Sequence, residues 1–89
     1  MGRGEISWNG LSPEGLKREV YAHRVGSEWE FFARQQRFDR WVTVDHPALE
    51  DWLALLDGVR RRAARRLVRP EEEHRLIKRI HELFPEAEL

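Results

Sequence analysis

Apolar and polar residues alternate along the segment 16–44, as is typical of β-strands with one buried face. Gly26 and Ser27 form a glycine-first pair that fits the two-residue turn of a β-hairpin. The pattern therefore predicts two antiparallel strands, over about 16–25 and about 28–35.

A turn at Gln36 and Arg37 adds a third strand over about 38–44, in a register that places Phe32 opposite Trp41 and Arg34 opposite Asp39. One face of the three strands is then apolar. Its members are Val20, Ala22, Trp29, Phe31, Ala33, Val42 and Val44. A shift of the pairing by a single residue would turn every side chain to the other face. The chemical match of the cross-strand pairs therefore favours this register.

Residues 5–10 alternate in the same way and predict a further strand ahead of these three. The segment 12–15 supplies a tight connection, because Pro13 presets the backbone of a turn and the following glycine tolerates a left-handed conformation. Pairing through this turn places Ile6 and Trp8 on the apolar face. The sequence thus predicts a four-stranded antiparallel meander.

Residues 13–40 also carry helix signals. Ser12 precedes a proline as an N-cap would, and Ser27 and Glu30 have the spacing of a capping box. Wound as a helix, however, the aromatic residues of this segment scatter around the axis and form no stripe. Periodicity favours strands, and helices over 13–40 remain the alternative.

After Pro47 the apolar residues recur at helical spacing and predict a helix over about 47–68. Its expected stripe is Leu49, Trp52, Leu53, Leu56, Val59, Ala63 and Leu67. Pro70 begins a second amphipathic helix over about 70–84, with glutamates in its first turn. The predicted fold class is α+β, a four-stranded antiparallel meander followed by two C-terminal helices packed on one face of the sheet.

The length of 89 residues suits a single small domain. The 16 basic and 16 acidic residues cancel, so the chain lacks the excess positive charge of a general nucleic-acid binder. Because there is no cysteine, disulfides and thiolate metal sites are excluded, and a reducing, cytoplasmic location is expected. No apolar run approaches the roughly 18 residues of a membrane span, so no membrane partner is expected.

Residues with catalytic potential form no recognisable motif. The sequence has no phosphate-binding glycine loop, no nucleophile elbow and no zinc-protease signature. His23 opposite Glu30 is interpreted as a solvated cross-strand pair, and His74 and His81 lie too far apart on their helix to chelate one metal by themselves. The sequence therefore predicts no enzyme, no metal site and no cofactor.

The densest charge feature is the arginine run between Arg60 and Arg69. Its exposed members could contact the phosphates of RNA or DNA, and they are Arg61, Arg62, Arg65 and Arg69. A solvated helix face, balanced by the glutamates that follow, is the alternative that we favour.

The face of the sheet opposite the apolar one carries a cross-strand row of Tyr21, Phe32 and Trp41. His23 and Arg34 flank this row, and the five residues together are the predicted partner-binding site. The leading hypothesis is a non-catalytic module that binds a protein partner or itself, as a homodimer. The alternative is a binder of single-stranded RNA or DNA that uses the same face or the arginine-rich helix.

Overall fold

The computed structural model of the chain describes residues 5–12 and 14–89. Residues 1–4 and Pro13, including the turn role expected of that proline, lie outside the described residues. The chain divides into a sheet unit that ends at Pro47 and a helical unit that begins at Ala48. The elements are β1 (Glu5–Leu11), β2 (Lys17–Val25), β3 (Glu28–Arg34), β4 (Val42–Val44), α1 (Leu49–Ala64) and α2 (Pro70–Leu83).

The fold class is α+β, with four antiparallel strands in one open sheet followed by two helices, and the predicted class is confirmed. The strands lie in the order β1-β2-β3-β4. Ala22 pairs with Ile6 on one side and with Phe31 on the other, as the alternation predicts. Gly26 has a φ of 64° in the β2–β3 turn, a left-handed conformation that favours glycine.

The β1–β2 turn is closed by backbone and side-chain hydrogen bonds. The Ser12 N–H donates to the Leu16 carbonyl at 2.8 Å, and the Leu16 N–H donates to Ser12 Oγ at 3.2 Å. The pKa of Glu14 is lowered, because its carboxylate accepts a hydrogen bond from its own backbone N–H and then one from the Ser12 side chain. Any stabilisation from these bonds is present above the unfolded pKa and is lost as pH falls through the lowered pKa.

The last strand departs from the prediction. β4 spans only Val42–Val44 instead of 38–44, and Phe32 lies opposite Thr43, not opposite Trp41. The pairing is therefore two residues out of the predicted register. Because a shift of two keeps each side chain on its face, Trp41 still belongs to the face that carries Phe32.

Asp39 lies in a turn ahead of the shortened strand. The Gln36 N–H donates to Asp39 Oδ2 at 3.0 Å, and the Asp39 N–H donates to the Gln36 carbonyl at 2.9 Å. Asp39 therefore closes a turn that starts at Gln36, as aspartates commonly do, and is not the strand residue predicted to pair with Arg34.

The apolar face of the sheet unit is buried at its centre. Val20 and Ala22 are 0% exposed and Phe31 is 2% exposed. The rings of Trp8 and Phe31 meet edge to face, with centroids 6.0 Å apart. Val42 was expected in this core but is 64% exposed, because it begins the short strand at the edge of the sheet.

In the helical unit, α1 ends at Ala64, before the predicted end near residue 68. Arg66 adopts a φ of 60° just beyond the helix. Two backbone hydrogen bonds accompany it, from the Arg66 N–H to the Ala63 carbonyl at 3.0 Å and from the Leu67 N–H to the Arg62 carbonyl at 2.8 Å. This is the Schellman arrangement, which satisfies the last carbonyls of a helix and turns the chain away.

The buried face of α1 consists of Asp51, Trp52, Leu55, Leu56, Gly58 and Val59. Leu53 and Leu67 were expected in the stripe but are 38% and 63% exposed, whereas Leu55 is 0% exposed. α2 buries Leu76 and Ile80, and Arg60 of α1 joins the two helices through an ion pair of 3.0 Å with Glu73. Among the described residues, no helix is long and apolar enough to cross a membrane.

Candidate functional site

The three aromatic residues of the predicted site lie in contact on one face of the sheet. The rings of Tyr21 and Phe32 stack, with centroids 4.9 Å apart and an interplanar angle of 18°. Trp41 meets Tyr21 edge to face at a centroid distance of 4.6 Å. We call the surface formed by Tyr21, Phe32 and Trp41, together with the charged residues beside them on the same face of the sheet, the aromatic face. Its rings form one continuous cluster across β2, β3 and the residue before β4.

Arg34 is held at the margin of the aromatic face by two contacts. Its Nε lies 2.9 Å from Glu19 Oε2, and its Cζ lies 4.2 Å from the centroid of the Trp41 ring. Since Val42 pairs with Ala33, the preceding Trp41 falls beside Arg34, so the two-residue shift of β4 creates this cation–π contact. The guanidinium is thus positioned by a carboxylate and a ring before any partner arrives.

His23 completes the predicted set at the other end of the row. Its ring lies 5.8 Å from that of Phe32 and 6.4 Å from that of Tyr21. Its Nε2 is 3.4 Å from Glu30 Oε1, and both side chains are partly exposed. The structure therefore brings together all five residues predicted for partner binding. Within the part of the chain that the structure describes, no cluster of three or more histidines and carboxylates could hold a metal ion.

A shallow pocket of about 520 Å³ lies between β1 and the aromatic cluster. Its lining includes Tyr21, Trp41 and Arg34 and, from β1, Glu5, Ser7 and Asn9. The sequence interpretation did not include these three β1 residues. The alternation contained the signal, because in the β1–β2 register Ser7 pairs with Tyr21 and therefore shares its face.

Carboxylates outnumber cationic groups on the aromatic face. The register places Glu5 and Glu30 on either side of His23 and places Glu19 opposite Arg34. On this face, strands β1 to β3 carry four carboxylates, two cations and one histidine: Glu5, Glu19, Glu28 and Glu30, with Lys17, Arg34 and His23. This balance disfavours a phosphate backbone and suits a partner that carries positive charge.

The residues predicted to contact phosphate are distributed over two helix ends. Arg61 and Arg62 lie in the last turn of α1, Arg65 is the C-cap of α1, and Arg69 is the N-cap of α2. Arg61 is paired with Asp57 at 2.9 Å, and both side chains are exposed. The four residues therefore do not all lie on one helix.

These features define a small α+β protein whose sheet carries an aromatic face rimmed by charge. Comparison of the chain with protein-family models, with curated proteins and with solved structures finds no match. What the protein does must therefore be inferred from its own residues.

Proposed function

We propose that the protein is a non-catalytic interaction module that binds a protein partner, or a second copy of itself, through the aromatic face. The observation that carries the proposal is the continuous cluster of Tyr21, Phe32 and Trp41, with Arg34 stacked on the tryptophan. Tyrosine, tryptophan and arginine are the residues that most often dominate the binding energy of protein interfaces.

The cluster suits binding because its side chains already contact one another. Ordering flexible side chains at an interface costs about 0.5–1.5 kcal/mol for each one. Tyr21 and Phe32 are stacked, and Arg34 is fixed between Glu19 and Trp41. Because these side chains are already ordered in the free protein, much of this ordering cost is absent when a partner binds.

The charge of the face favours a protein partner over a nucleic acid. Its four carboxylates, of Glu5, Glu19, Glu28 and Glu30, would repel phosphates and outnumber its two cations, Lys17 and Arg34. The guanidinium of Arg34 is also engaged by Glu19. A protein surface that offers lysine or arginine side chains to these carboxylates is electrostatically complementary.

The double variant Tyr21→Ser/Trp41→Ser is expected to weaken partner binding by at least about 100-fold, because two anchor side chains are removed. The measurement is capture of a partner on the wild-type chain, followed by calorimetric titration of the purified partner against both proteins. Far-UV circular dichroism establishes that the variant is folded.

Phe38→Ser is the matched control, since Phe38 is 93% exposed and lies in the β3–β4 connection, outside the aromatic face. It should bind the partner as the wild type does. Unchanged affinity of a folded double variant would refute the proposal, and loss of binding in Phe38→Ser would move the contact to the β3–β4 connection.

The second candidate is binding of single-stranded RNA or DNA, which the aromatic cluster favours because unpaired bases stack on such rings. Tryptophan fluorescence during titration with mixed-sequence oligonucleotides, at low and moderate salt, separates the two functions. We expect no saturable quenching. Quenching that weakens with salt would instead establish nucleic-acid binding. If charge reversal of Arg61, Arg62 and Arg65 then abolished the quenching, the binding site would lie at the helix ends.

A further inference from the structure

The two edges of the sheet differ in a way that bears on assembly. β1 forms one edge with seven residues, and its pairing with β2 runs without interruption from Glu5 to Leu11. β4 forms the other edge with three residues. Among the described residues no strand pairs with the outer side of β1. A long regular edge offers a row of backbone donors and acceptors to another strand.

The hydrogen-bonding pattern identifies the backbone groups that face outward. The Ser12 N–H donates to the Leu16 carbonyl, so the N–H of Ser12 points across the hairpin toward β2. Along an antiparallel pair, such residues alternate with residues whose N–H and C=O point to the opposite side. Ser7, Asn9 and Leu11 of β1 therefore direct their backbone groups away from β2.

β1 lacks the features by which proteins usually protect a sheet edge. The strand sequence EISWNGL contains no proline, lysine or arginine, and its register shows no bulge. Its one charged residue, Glu5, lies at its first position. Nothing in the strand therefore opposes the approach of a second strand.

We propose that two copies of the chain pair through β1, antiparallel and about a two-fold axis at Trp8, to form one continuous eight-stranded sheet. This register overlaps the whole of β1, whereas a shift by two would pair only residues 5–9 or 7–11. Ser7 then faces Asn9 of the second copy, and Trp8 faces its own equivalent. Glu5 faces Leu11 and not another carboxylate, so no like charges meet.

The inference goes beyond the proposed function, because it uses the edge of the sheet and not the aromatic face. The contact is isologous and closed, as in most homodimers, so it yields a dimer and not a filament. The cross-linking tests β1 alone, so its failure would leave binding through Tyr21 and Trp41 open. A monomeric wild-type chain would also exclude self-association through the aromatic face, and would leave binding of a different protein there to the calorimetric test.

Cysteine cross-linking tests the register in a chain that has no cysteine of its own. Ser7→Cys and Asn9→Cys, each carrying a tag of different mass, are oxidised separately and as a mixture. Directly opposed residues of a hydrogen-bonded pair have Cα atoms about 5.5 Å apart, which a disulfide spans. We expect the mixture to form a disulfide-linked heterodimer at least about tenfold faster than either variant links to itself.

The second measurement is sedimentation equilibrium of Asn9→Pro beside Asn9→Ala. Proline removes only an outward N–H and is tolerated at a sheet edge, so the fold should persist. We expect the dissociation constant of the dimer to rise about 100-fold. Asn9→Ala, which keeps the N–H, should dimerise like the wild type. A monomeric wild-type chain, or faster linking of Ser7→Cys or Asn9→Cys to itself than to the other, would overturn the proposal.

Discussion

Replacing Phe31 by alanine is expected to lower the free energy of unfolding by about 3–5 kcal/mol, the usual cost of deleting a buried aromatic ring. Phe31 lies in β3, between Ala22 of β2 and Val44 of β4, and is 2% exposed. Its ring also meets that of Trp8. The loss would be a large fraction of the roughly 5–15 kcal/mol that stabilises a protein of ordinary size.

Phe32→Ala is the matched control, since it changes the next residue of the same strand on the opposite face. Phe32 is half-buried and stacks on Tyr21, so we expect a smaller loss of about 1–2 kcal/mol. Urea unfolding followed by circular dichroism gives both values. Equal losses in the two variants would contradict the assignment of the two faces.

The same pair of residues separates stability from the proposed function. Phe32 belongs to the aromatic face, so Phe32→Ala should also weaken partner binding, whereas Phe31 touches no partner in this proposal. One strand thus contributes a core residue and a surface residue side by side, because successive side chains of a strand point to opposite faces.

The register of β1, β2 and β3 was predictable because two independent signals agree there. Gly26 supplies the positive φ that a two-residue turn between β2 and β3 needs, and the alternation on either side places apolar residues opposite one another. Ile6 and Trp8 then fall opposite Ala22 and Val20 without a further assumption.

The β3–β4 connection was not predictable, because Asp39 satisfies two local rules at once. As a strand residue it could pair with Arg34, and as a turn residue it can accept the Gln36 N–H. The structure adopts the turn, and Arg34 pairs with Glu19 and Trp41 instead. The candidate site therefore contains the residues that were predicted for it. It also contains the contact between Arg34 and Trp41, which the sequence did not indicate.

The C-terminal end of α1 could not be predicted from the sequence for a similar reason. Arginine and alanine favour helices, and no glycine or proline interrupts the chain between Val59 and Pro70. The stop comes from the left-handed backbone of Arg66, which is uncommon outside glycine and asparagine. Local composition alone would continue the helix.

Leu55→Ala is expected to lower the free energy of unfolding by about 2–5 kcal/mol, because it leaves a cavity where a fully buried side chain stood. Leu55 is 0% exposed and shares the buried face of α1 with Trp52, Leu56 and Val59. These four positions have the spacing of one helical face. Urea unfolding followed by the helical circular dichroism signal measures the loss.

Leu53→Ala is the control that distinguishes this face from the stripe inferred by periodicity. Residues 52–56 are all apolar, so the sequence could not tell which of Leu53 and Leu55 is buried. Leu53 is 38% exposed, and its truncation should cost less than about 1 kcal/mol. A larger loss for Leu53→Ala than for Leu55→Ala would show that α1 buries the face predicted by periodicity, rotated from the one that contains Leu55.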